Sequence, residues 1–118
     1  MSLYVRKWFA LSLAGAASIF AADPVSYTAQ VKPILAERCL SCHSSEQRFG
    51  GLSLEKFDDI SDFVTPGDPS KSRLFVVVYG STAKMPRGGP PLKPEQIEIL
   101  KTWIEQGAKD DSPKPAAK

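Results

Sequence analysis

Histidine occurs once in the 118 residues, cysteine twice, and methionine twice, one of them the initiator. A site built from several imidazoles is therefore excluded, and so is any cluster that four cysteines would hold. Long apolar stretches are also missing. The single candidate, Trp8 to Phe20, has 13 residues, short of the ~20 that a spanning helix needs. There is no internal repeat. What remains is ordinary: 42% hydrophobic and 24% charged residues, which sets aside collagen-like, membrane-bundle and wholly disordered classes. A chain this long holds one domain, not a multidomain enzyme.

Residues 1–22 have the shape of a secretory signal peptide: Arg6 and Lys7 precede the apolar run, and Ala21 and Ala22 follow it. Cleavage is expected after Ala22, with Ala21 as the alternative, and a retained leader would act as an anchor. No cysteine lies near the junction to accept a lipid. The leader carries two of the 15 cationic residues and none of the 13 acidic ones, so the remainder is formally neutral. No basic stripe is left for nucleic acid or an anionic membrane. Export also places both cysteines where free thiols become disulfides unless another fate intervenes.

Beyond Asp23, the positions Tyr27, Val31, Ile34 and Leu35 repeat with helical spacing, and Pro33 falls inside the pattern. A bent helix over about Thr28 to Cys39 is expected. Residues 44–51 form a polar loop that ends in Gly50-Gly51, and Leu52 to Phe63 reads as a short helix or turn. Asp68-Pro69 looks like an N-cap followed by an N1 proline, which starts a helix that reaches Tyr79 with Gly80 as its C′ residue. Phe75 to Tyr79 is rich in β-formers, but no second strand pattern exists nearby to pair with it. Residues 84–94 contain four prolines and two glycines and form a loop. A last helix starts at Pro94 and aligns Ile97, Leu100, Trp103 and Ile104 before stopping ahead of Gly107. Residues 109–118 are expected to be a disordered tail.

The chemistry concentrates at Cys39-Leu40-Ser41-Cys42-His43. CxxCH is the attachment signature of c-type haem: two thiols three residues apart reach the two vinyl groups of one porphyrin edge, and the adjacent histidine reaches the iron. The competing reading is a redox or structural disulfide, and the βαβ pattern that accompanies a CxxC oxidoreductase is missing. A second axial ligand is available in Met85, held by Pro86 in an extended backbone beside a stiff Gly-Pro loop. A His/Met pair raises the reduction potential. Without such a role Met85 would be core filler. Arg48, Arg73 and Arg87 are candidates for pairing with haem propionates, although surface cations are the simpler reading. Trp103 reads as core, Lys84 as a replacement ligand at high pH, and the Pro66-Gly67 turn as the carbonyl source for His43 Nδ1–H.

These motifs together resemble small class I cytochromes c, in particular the planctomycete-type cytochrome c domain. The likeness rests on Val31 to Leu35, Cys39 to His43, Gly50 to Leu54, Pro66 to Pro69 with Ser72 and Leu74, Met85-Pro86, and Leu100 with Trp103-Ile104 and Gly107-Ala108. Where Arg87 stands the family often has a second proline. The resemblance implies an all-α, class I cytochrome c-like fold over residues 23–108, with three to five short helices around one covalent haem c. It assigns Cys39 and Cys42 to attachment, and His43 and Met85 to the proximal and distal positions on iron.

The expected function is single-electron transfer between larger redox partners by a periplasmic or secreted monomer that is not an enzyme. A haem-based sensor with a labile or absent Met85 ligand is the alternative. Peroxidase activity lacks an evident distal acid or base. Expression with a c-type maturation system should give the mass of one added haem and the reduced pyridine adduct of a c-type haem. An unmodified mass with a Cys39–Cys42 disulfide contradicts the reading.

Overall fold

Proline placement shapes the first helical segment. The computed structural model describes residues 23–80 and 83–113, so the leader expected at 1–22 lies outside them, as do residues 114–118. Tyr27–Val31 forms a π turn in which the Val31 N–H donates to Ser26 O at 3.2 Å and the Lys32 N–H donates to Tyr27 O. The helix α1 (Lys32–Arg38) then begins with Pro33 in its first turn, where a missing N–H costs nothing. The bent helix is thus a widened turn joined to a regular one. Tyr27, Val31, Ile34 and Leu35 are all buried, as their spacing requires.

A second short helix, α2 (Phe57–Ser61), has Asp58 and Asp59 in its first turn, where the helix dipole favours acids, and buries Ile60. The helix expected over Pro69 to Tyr79 is not continuous. A 3₁₀ turn occupies Pro69–Lys71, and α3 spans only Arg73–Val76. Ser72 breaks the run. It is 0% exposed and extended (φ −92°, ψ 107°), and its hydroxyl accepts from the Thr65 N–H at 2.9 Å and donates to Asp68 O at 2.8 Å. Those bonds satisfy the buried hydroxyl and tie residue 72 back to residues 65 and 68. The Asp68 side chain accepts from the Ser70 hydroxyl instead of capping the helix. Gly80 takes φ +81°, beyond a β-prone run that forms no strand.

The longest helix, α4 (Pro94–Glu105), starts with the Gln96 side chain accepting the Lys93 N–H at 3.0 Å. It ends in a Schellman motif: the Gly107 N–H donates to Ile104 O and the Ala108 N–H to Trp103 O, with Gly107 at φ +105°. Leu100, Trp103 and Ile104 are buried, and α4 packs against the π turn, α3 and the Pro69–Lys71 turn. The Trp103 ring stacks on Tyr27 at 5.7 Å, and Phe57 meets both rings edge-on. Trp103 is therefore core. Among the described residues there is no strand, only an isolated bridge between His43 and Arg48, and no helix is long and apolar enough to cross a membrane.

The start of the segment expected as a tail is held down. Lys109 O accepts from Trp103 Nε1–H at 3.0 Å. The Asp111 carboxylate accepts from the Ser26 hydroxyl, and from the Thr28 N–H and hydroxyl at 2.8 Å each. These bonds, chiefly that from Ser26, hold the Asp111 carboxyl below its usual range.

Trp103→Ala should destabilise the haem-loaded protein by about 3–5 kcal/mol, the cost of emptying an aromatic core site, measured by guanidinium unfolding. A loss under about 1 kcal/mol contradicts the central place given to the ring stack. The Asp111 contacts contribute stability above the ordinary carboxylate value of ~3.9 and lose it as pH falls through the depressed one. The Thr28 amide resonance should therefore titrate below pH ~3.9 and stop titrating in Asp111→Asn.

Candidate functional site

The last turn of α1 delivers the CxxCH segment. Cys39 caps the helix, donating its N–H to Leu35 O at 2.9 Å, and its own carbonyl accepts the N–H groups of Cys42 (3.2 Å) and His43 (3.0 Å). Both thiols and the imidazole are thus carried by one closed turn. Residues 44–53 loop out from it and are pinned where they leave and return: the Phe49 N–H donates to Cys42 O at 3.0 Å and the Leu54 N–H to His43 O at 2.7 Å. Gly50 and Gly51 both have positive φ, +69° and +76°, so this loop needs two residues without a Cβ. The Glu55 carboxylate tightens it by accepting from the Ser45 N–H at 2.9 Å, and hydrogen bonds from the Ser45 hydroxyl first and its N–H second hold that carboxyl below its ordinary value.

Cys39 and Cys42 are free. Burial pushes the Cys39 thiol up to about 11, with Arg38 opposing and Cys42 adding to the shift. Cys39 is therefore a thiol at neutral pH, and because the thiolate is the attacking species in disulfide formation, attack by Cys39 is slowed.

His43 Nδ1 is buried and has no hydrogen-bond partner among the described residues. This is the nitrogen expected to donate to a carbonyl, and a buried ring nitrogen without a partner calls for an explanation. The Pro66-Gly67 turn does not supply its acceptor; the Gly67 N–H donates to Ile104 O at 2.7 Å, so that turn is docked on the end of α4. No group of three or more His, Cys, Asp or Glu side chains among the described residues is placed to hold a metal ion.

Met85 is half-buried against the core, as is Cys39. Its N–H and that of Lys84 both donate to Val77 O at 2.9 Å, closing the chain between α3 and the proline-rich loop. The Met85–Pro86 bond is cis. Of the arginines weighed for propionates, Arg48 is exposed next to the attachment turn through its bridge to His43, and Arg73 and Arg87 are exposed on other segments.

Two features were not read from the sequence. Phe49, Val76 and Tyr79 are 59%, 50% and 58% exposed. Phe49 adjoins the CxxCH turn, and Tyr79, stacked on Phe75 at 4.9 Å, adjoins the Val77 anchor of Met85. Each candidate ligand segment thus has a large apolar side chain left uncovered on it or next to its anchor. The second is Arg38, whose guanidinium donates to Pro90 O and, at 3.3 Å, to Pro91 O. A surface cation one residue before CxxCH gives no sign in the sequence of that reach.

Among the described residues the domain is helical without strands, and it carries two free thiols and a histidine on one turn. Residues 39–89 match the family described as Planctomycete cytochrome C. That stretch, under half of the chain, is similar to the planctomycete cytochrome c family. The matched stretch runs from Cys39 through α2 and α3 to Gly89, and so includes Met85. No curated protein matches the chain, and no solved structure does.

Proposed function

We propose that this protein is a monohaem c-type cytochrome that carries single electrons between larger extracytoplasmic redox proteins. The observation that carries this is the turn on which Cys39, Cys42 and the unpartnered His43 sit together, inside the segment that matches the cytochrome family. Cys39 and Cys42 would hold the haem through thioether bonds, and His43 and Met85 would be its two protein ligands to iron.

The haem contributes a reversible one-electron iron couple. The chain's task is to keep both ligands in place in both oxidation states and to exclude water. Phe49, Val76 and Tyr79 supply apolar surface for that purpose, and no general acid or base is needed. The leader at 1–22 would direct export, with cleavage after Ala22, and the mature protein would act as a monomer.

The ferric protein should show the weak sulfur-to-iron charge-transfer band, and Met85→Ala should abolish it while the covalent haem is retained. Immediate CO binding by the reduced wild-type protein would overturn His/Met ligation and favour a ligand-binding sensor.

A further inference from the structure

We infer that Arg38 is a positioning residue for Met85: it clamps the methionine loop to the attachment turn through the Pro90 and Pro91 carbonyls and so keeps the thioether seated. The inference rests on the His/Met reading above. Residues 86–94 include four prolines without an N–H, so this loop cannot build a ladder of its own. Its one internal backbone bond, Gly89 N–H to Pro86 O, is long at 3.4 Å.

Three attachments hold the loop. At its start the Met85 N–H is bonded to Val77 O, and at its end Leu92 is buried. Between them the only polar tie among the described residues is Arg38. Arg38 makes no ion pair among the described residues, and its guanidinium serves two consecutive carbonyls, a charge-assisted contact for which the planar fork of arginine is suited. Because Arg38 is the last residue of α1 and precedes Cys39, the clamp links the segment bearing His43 directly to the segment bearing Met85. The side chain lies outside the matched stretch of residues 39–89, while the carbonyls it holds lie just beyond that stretch's other end.

The test compares haem-loaded wild-type protein with Arg38→Ala, Arg38→Lys and Met85→Ala. Imidazole competes for the distal position while the charge-transfer band is followed, and far-ultraviolet circular dichroism reports global unfolding in guanidinium. Arg38→Ala should lower the imidazole concentration that displaces Met85 by about tenfold, equivalent to about 1.4 kcal/mol. Its band should also vanish at lower guanidinium than its helical signal, and its reduction potential should fall. Arg38→Lys, a point charge able to reach one carbonyl, should lie between.

An Arg38→Ala protein with unchanged imidazole displacement overturns the inference. So does one in which the band and the helical signal are lost together, since that is a folding effect alone. A wild-type protein without the band, or a Met85→Ala protein that keeps it, refutes the His/Met reading itself and takes the inference with it; neither result involves an Arg38 variant.

Discussion

The stack of Tyr27 on Trp103 ties the first helical segment of the described chain to the last. Tyr27 opens the π turn that leads without interruption into α1, and Trp103 lies in the middle of the buried stripe of α4. Phe57 closes the cluster from α2. Once the π turn is fixed on α4, the α1 that continues it is placed too, and the turn that follows α1 carries the cysteines. The core is small, as expected for a chain of this length, and depends heavily on three aromatic rings that bury large areas.

The two segments that carry the candidate ligands are anchored by the same local device. The Cys39 carbonyl accepts the backbone N–H groups of Cys42 and His43, and the Val77 carbonyl accepts those of Lys84 and Met85. In each case the ligand residue itself donates to a shared acceptor, so the position of its Cα is set by main-chain bonds before any side chain acts. Main-chain anchoring of this kind places ligands without using up side-chain chemistry, which matters in a chain with one histidine and few alternatives. Side-chain positions can then be refined by longer reaches such as the guanidinium of Arg38.

Legibility from the sequence follows the range of the interactions. The buried positions of the first segment, the start of α4 at Pro94 and its stop before Gly107 were readable, because spacing and caps are local signals. The CxxCH turn was readable for the same reason. The break at Ser72 was not: proline and glycine marked a single helix, and what splits it is a buried hydroxyl bonded to residues 65 and 68 across a fold in the chain. Nor could sequence show that Pro66-Gly67 docks on Ile104, away from His43, or that Phe49, Val76 and Tyr79 stand exposed. Each of these depends on where distant segments end up, and a run of apolar residues reads the same whether it faces a core or a cofactor.

The Asp111 contacts close the described chain on itself. Ser26 and Thr28 meet Asp111, and the Gln106 side chain bonds to both Asp23 and Val25. The polypeptide thus enters and leaves the domain at one corner, beside the Tyr27–Trp103 stack. A unit whose two ends share a corner can be spliced into a loop of a host protein, or strung in tandem, without stretching its interior. The CxxCH segment begins twelve residues after Tyr27, so such a join would fall outside both that turn and the methionine loop.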